Sequence, residues 1–200
     1  MLRRSSSSVF VAGAHVFPGG AVDPSDRVPT DEPFPGEDAM GSAYRVAAIR
    51  ECFEEAGILV AERQGSGLLS APDSGLERRL REYRAALVHG RADFLEICRR
   101  ESLEPGIGRL GYLSRWVTPE GLPRRYDTRF FVTPAPEGQV PAACERETFD
   151  AAWFQPADAL AAARRGEIEL VLPTIRTLEQ LADCDDAASV VRAASGSRSP

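Results

Sequence analysis

Three glutamates, Glu51, Glu54 and Glu55, fall at i, i+3 and i+4 in the stretch AAIRECFEEAGILV. At about 100° per residue a helix sets these carboxylates on one face. Ile49, Cys52, Phe53 and Ala56 then fall on the opposite face, ready to bury against a sheet. Like charges at this spacing destabilise a helix by a few tenths of a kcal/mol per pair, so a compensating cation is called for. Two readings are open. A solvated acidic face would use Arg50 as partial counterion, whereas a metal site would hold a hard divalent ion such as Mg²⁺ or Mn²⁺, which prefers carboxylate oxygen.

The elements that must position these acids can be read along the chain. Val9–Phe17 is apolar and β-branched enough for a strand, and Pro18-Gly19-Gly20 ends it. Arg27–Ser42 carries three prolines and interspersed acids and reads as a surface loop. A helix over Ala43–Ala56 is closed by Gly57, and a short strand resumes at Ile58–Ala61. Ser74 to about Arg100 is helical in two pieces broken near His89-Gly90. Leu110–Val117 and Tyr126–Val132 alternate as strands, and Thr148–Phe154 is a further candidate. Gln155-Pro156 opens a helix through Arg165, and Pro173 starts another to about Ala182. The small, polar end from Asp185 is expected to fray, leaving residues 1–184 as one domain and 185–200 as a flexible tail. Helices mixed with strands point to an α/β or α+β sheet domain.

Composition narrows the functions. The 200 residues suffice for one domain with a core; 43% are hydrophobic, 27% charged, and no run approaches a membrane span. MLRRSSSS has no apolar stretch of signal-peptide type. A net charge of −6 gives no electrostatic footprint for nucleic acid. All 24 basic residues are arginine, which reads as the codon bias of a GC-rich genome. Cys52, Cys98, Cys144 and Cys184 are widely spaced without a metal pattern, so a reduced, cytoplasmic setting is expected. Neither His15 nor His89 has a Ser or Cys partner in a nucleophile arrangement.

RECFEEAGI, Arg50–Ile58, resembles the REUXEEXGU half of the Nudix box, where U is a bulky apolar residue. The upstream half begins with glycine and carries a glutamate after five residues; from Gly20 that place holds Asp26. Twenty-three residues separate Asp26 from Arg50 where the box has seven, so a long loop splits the motif. The resemblance implies a Nudix fold, a mixed β-sheet between helices, and hydrolysis of a nucleoside diphosphate linked to another moiety. It also implies Mg²⁺ or Mn²⁺ on Glu51, Glu54, Glu55 and the Gly20 carbonyl. By the same resemblance Glu51, Glu54 and Arg50 would form the catalytic group, with Arg50 orienting a carboxylate and the identity of the base left open.

VFPGG, then DPSD, a long loop and AYRVAAIRECFEEAG resemble the branch of peroxisomal coenzyme A diphosphatases of animals and their bacterial relatives. RWVTPEGLPRRYDTRFFV, WFQPADAL and ELVLPTIRTLEQL continue that likeness downstream. Arg4-Ser5, Gly13 and Phe17–Gly20 keep the register of a coenzyme A signature, while Leu2 and Val9 stand where that signature has threonine and arginine. Arg4, Gly19, Arg125 and Glu147 are the substrate-binding candidates. Arg124, Arg125 and Arg129 share one strand region, where they either meet substrate phosphates or solvate a strand edge. Glu145 and Glu147 are alternatives for a distal carboxylate or a polar strand entry.

The resemblance implies coenzyme A or an acyl-CoA as one candidate substrate. ADP-ribose, a dinucleotide or a nucleoside triphosphate is a second class, and a non-catalytic nucleotide-sensing module is the reading from outside enzymology. The intact Arg50, Glu51, Glu54 and Glu55 speak against a sensor. Oligomeric state is left open. Because Nudix proteins place a full strand and a further segment ahead of FPGG, a chain starting at this Met1 is expected to lack the first strand and to be marginally stable.

Overall fold

The structure is a computed structural model that describes residues 1–5, 13–28, 40–63, 67–121, 124–144, 148–184 and 186–196. Most of the Arg27–Ser42 loop, residues 29–39, lies outside the described residues, as do Val9, Glu145 and Glu147.

The described strands form three short antiparallel sheets. In the first, β1 (Leu2–Arg4) lies between β2 (His15–Val16) and β8 (Thr148–Ala151). Leu2–Arg4 is itself a strand paired on both sides, and Leu2 is 1% exposed. In the second, β3 (Ala61–Arg63) pairs with β4 (Gly67–Leu68) and β5 (Leu103–Pro105). The third is the hairpin of β6 (Gly111–Val117) and β7 (Asp127–Val132), as their alternation implies.

Ile58–Val60, expected as the start of a strand, is buried but joins no ladder, the strand beginning only at Ala61. The Gln139 side-chain amide takes the place of a neighbouring strand there. Its Oε1 accepts the Leu59 N–H at 2.8 Å, while its Nε2 donates to the carbonyls of Leu59 and Leu69. A side chain that satisfies buried backbone in this way leaves no pattern in the sequence.

The helices are α1 (Gly41–Ala56), α2 (Ser74–Val88), α3 (Phe94–Arg100), α4 (Pro156–Arg164), α5 (Leu172–Ala182) and α6 (Ala187–Gly196). Gly57 ends α1 at φ 72°, a left-handed conformation that favours glycine, with its N–H donating to the Phe53 carbonyl. Asp73 and Asp93 cap α2 and α3, which explains the break near His89-Gly90. Within the segment expected to fray, Ala187–Gly196 is helical as α6. Ala194 is 4% exposed, and Gly111 on β6 lets it approach, since an added Cβ would stand 2.7 Å from the Ala194 Cβ. The small residues that read as polar tail are those that permit close packing here.

Two cores result. The larger gathers Val46, Ile49 and Phe53 of α1 with Leu2, Leu59, Leu76, Leu80, Phe94 and Leu103. A smaller one joins α4 to α5 through Ala159, Leu160 and Leu178, with Phe17 and Phe154 packed on it. The apolar face of α1 is thus fixed in the main core, and its acidic face is turned toward the FPGG turn.

Candidate active site

Construction of the site starts from DPSD. Asp23 caps a 3₁₀ turn over Pro24–Asp26, accepting the Ser25 N–H at 2.8 Å, and Asp26 Oδ2 accepts the Asp23 N–H at 2.7 Å. This reciprocal capping box fixes the Asp26 carboxylate at 1% exposure. Arg50 meets it with a two-pronged fork, Nε to Oδ1 at 2.8 Å and Nη2 to Oδ2 at 2.9 Å. Nη2 also donates to the Ala21 carbonyl at 2.9 Å. The pieces of the split motif are therefore rejoined in space, with the arginine tying the turn after FPGG to the helix.

The remaining nitrogen of Arg50 faces the acids. Nη1 donates to Glu51 Oε1 at 2.9 Å and to Glu54 Oε1 at 3.1 Å, so two carboxylates converge on one cationic point. Burial alone would lower the Arg50 pKa, but the hydrogen bonds and charges of Asp26, Glu51 and Glu54 outweigh it and hold it above its ordinary value. The third acid, Glu55, is buried at 6% exposure and accepts the Gly19 N–H on Oε2 at 3.0 Å. Gly20 packs on the Glu51 carboxylate so closely that an added Cβ would lie well inside contact distance. The Pro-Gly-Gly turn is thus a backbone surface against which carboxylates rest.

Arg84 of α2 closes the other side. Its Nε donates to the Glu54 carbonyl and its Nη2 to the Glu55 carbonyl, both at 3.0 Å, and Nη2 reaches Ala142 O at 2.6 Å. It caps the orphan carbonyls at the end of α1 and so sets the position of the acidic turn. Sequence reasoning missed this residue, because one arginine on an arginine-rich helix carries no distinguishing signal. Cys52, between the acids, has its thiol pushed up to about 12 by burial and then by the Glu55 charge. It serves packing rather than chemistry.

Gly19, Gly20, Arg50, Glu51, Glu54 and Glu55 are therefore brought together. Arg125 lies at the far turn of the β6–β7 hairpin, where Nε donates to the Thr118 carbonyl at 3.2 Å and Nη1 pairs with Glu120 at 3.5 Å. Arg129 stacks on Tyr44, 3.7 Å from the ring centroid. Arg4 is on β1, its backbone N–H donating to Ala14 O at 3.0 Å; its Nε is buried without a partner among the described residues. Glu147 falls outside the described residues.

The family model of the NUDT19 Nudix domain matches residues 26–181. The chain belongs to this family. It is 33% identical to the acyl-coenzyme A diphosphatase NUDT19 of Gallus gallus over 90% of this chain and 60% of that protein. The protein of the same name from Homo sapiens is 30% identical, with 92% and 60% covered. A putative nudix hydrolase 7 of Caenorhabditis elegans is 26% identical, with 93% and 56% covered. The chain spans about 60% of the length of the curated relatives it matches. A Nudix hydrolase structure from Alicyclobacillus acidocaldarius superposes with a TM-score of 0.80 at 30% identity, over 96% of this chain and 86% of that one. The α/β architecture is thus the Nudix fold, and no helix among the described residues is long and apolar enough to cross a membrane.

The acids can be tested for their fit to Mg²⁺ or Mn²⁺, the cations usual in this family. Among the described residues, no three His, Cys, Asp or Glu side chains already stand grouped as a metal cage. The donor chemistry nevertheless fits: Glu51 and Glu54 share one cationic point, all donors are oxygen, and glycine backbone lies against them.

Proposed function

We propose that this chain is a divalent-metal-dependent diphosphatase acting on coenzyme A derivatives. The observation that carries the reading is the Asp26–Arg50–Glu51/Glu54 network, which assembles a split Nudix motif into one buried unit. The named activity of the chicken and human relatives supports the substrate class. The retained Arg4-Ser5, Gly13 and Phe17–Gly20 register supports it too. Leu2, at the threonine position of that register, is a core side chain, so its departure from the signature leaves the site's surface unaffected.

Glu51, Glu54, Glu55 and the Gly20 carbonyl would hold the metal. When bound, it screens phosphate charge and lowers the pKa of water. The chain's own groups do the rest. Gly19 and Gly20 let the diphosphate approach the backbone, and a glutamate of the Glu51/Glu54 pair takes the proton of the attacking water. The water oxygen bonds to one phosphorus, the bond from that phosphorus to the bridging oxygen breaks, and the leaving phosphate keeps the bond electrons. From coenzyme A the products are adenosine 3′,5′-bisphosphate and 4′-phosphopantetheine. Arg50 is a positioning residue that orients Glu51 and Glu54 while anchored on Asp26. Four free cysteines agree with work in a reducing, cytoplasmic compartment.

The test is a panel of coenzyme A, an acyl-CoA, ADP-ribose, a dinucleotide and a nucleoside triphosphate with Mg²⁺ or Mn²⁺, both products being resolved by chromatography. We expect the two coenzyme A halves in equal amounts and none with chelator. Turnover of ADP-ribose or the dinucleotide with coenzyme A untouched would move the protein to that class. Saturable nucleotide binding without products would make it a sensor. Glu55→Gln keeps the shape and removes the charge, and should lower turnover by orders of magnitude in a folded protein.

A further inference from the structure

Along α1, only Tyr44, Ala48, Glu51, Cys52 and Glu54 escape burial. Tyr44 and Glu51 are seven residues apart, so their side chains leave the helix within about 20° of each other and about 10.5 Å apart along its axis. Ala48, between them, is short. The carboxylate face therefore runs on, past a shallow step, to an aromatic ring. Arg129 of β7 lies over that ring, its guanidinium carbon 3.7 Å from the centroid, and both residues are half-buried.

The strand that carries Arg129 also borders the FPGG turn. Phe131, on the same face of β7 as Arg129, packs under the Arg45 guanidinium of α1 at 5.1 Å. Phe130, on the opposite face, meets Phe17 edge-on, the ring centroids 6.2 Å apart. Phe17 opens the turn whose Gly19 N–H donates to Glu55. β7 is thus held to α1 by two cation–π contacts and to the turn by an aromatic one. The Arg129–Tyr44 stack is a wall of the carboxylate site and not a separate surface.

We infer that the Arg129–Tyr44 stack is the platform on which the nucleobase of the substrate lies, which makes Arg129 a specificity-determining residue for nucleotides. The inference rests on the nucleoside-diphosphate part of the reading above. A diphosphate held at Glu51 and Glu54 puts its base one ribose away, a reach of the same order as the helix span from Glu51 to Tyr44. Bases stack on guanidinium planes as they do on aromatic rings. Tyr44 covers one face of the Arg129 plane, and the guanidinium donors point outward within that plane. A base on the other face therefore meets a flat cation braced from beneath. Because every base has a π-face, such a platform reads the presence of a base and not its identity.

The experiment compares the binding of AMP and of ribose 5-phosphate, which carries the same phosphate and no base, by calorimetry with Mg²⁺. It uses wild type, Arg129→Lys, Arg129→Ala and Tyr44→Phe, each checked by thermal melt, and follows coenzyme A turnover by wild type alongside. Wild type should bind AMP about tenfold or more tightly than ribose 5-phosphate, the worth of one stacked base. Arg129→Lys keeps the charge and loses the plane, so it should bring that ratio close to one while ribose 5-phosphate affinity changes by less than about twofold. Arg129→Ala should also abolish the preference, and Tyr44→Phe, which keeps a ring, should retain it. An unchanged ratio in the folded Arg129 variants would overturn the inference. A wild-type ratio of one, or binding of neither ligand, would overturn it too, and continued cleavage of coenzyme A would leave the diphosphatase reading intact. Equal loss of both ligands in Arg129→Ala, restored by Arg129→Lys, would make Arg129 a phosphate contact and overturn the platform. Binding of neither ligand together with no coenzyme A turnover would sink both readings.

Discussion

At the end of α1, Arg50 spreads five polar contacts over Asp26, Glu51, Glu54 and the Ala21 carbonyl, its side chain 11% exposed and that of Asp26 only 1%. In the β6–β7 hairpin, Arg115 grips Asp127 with an equally good fork, both bonds 2.7 Å, yet these side chains are 51% and 34% exposed. Geometry alone does not separate the two pairs. Burial does: water screens the hairpin pair, whereas breaking the buried one leaves a carboxylate out of reach of water with only the Asp23 N–H to hold its charge. In a chain without lysine, the same residue type serves as solvated surface charge and as the pin of the candidate site.

Arg50→Ala should have the largest effect, a loss of about 3–5 kcal/mol. At this size that lowers the melting temperature by roughly 10 °C. Arg50→Lys keeps the charge but not the fork, and should recover only part of it. A melt within a degree or two of wild type would break the comparison. Arg84→Ala follows at about 1–3 kcal/mol, because it uncovers the carbonyls of Glu54 and Glu55 and not a paired charge. Denaturant midpoints at constant slope would check it, and equality with Arg115→Ala would contradict the ranking.

Gly20→Ala sharpens the contrast differently. The new Cβ meets the flexible end of Glu51, so stability should fall by less than about 1 kcal/mol while Mn²⁺ affinity falls about tenfold. Loss of fold with no change in affinity would show that Gly20 serves packing alone. Arg115→Ala should be smallest, about 0–1 kcal/mol and weaker in high salt.

The α1 face and its closing glycine were legible because helical spacing and a fixed motif both act locally. Asp26 could be placed by register, yet its role became visible only when the DPSD capping box and the Arg50 fork were seen together. Three features were not legible: Arg84 on the α1 carbonyls, the Gln139 clasp of Leu59, and the docking of α6 on Gly111. Each is a contact between segments far apart in the chain, made by a residue type common on surfaces. Small side chains at the C-terminal end carry no helical period of bulky residues, yet their smallness is what lets α6 lie close against β6.

Mn²⁺ titration followed by the paramagnetic resonance of the free ion tests the central claim most directly, since it needs no substrate. Wild type should bind the ion saturably, and Glu51→Gln and Glu54→Gln, each folded by thermal melt, should weaken binding at least tenfold, on the order expected when a ligand or its support is lost. Equal Mn²⁺ affinity in wild type and both variants would contradict the assignment of the α1 carboxylates as the metal site.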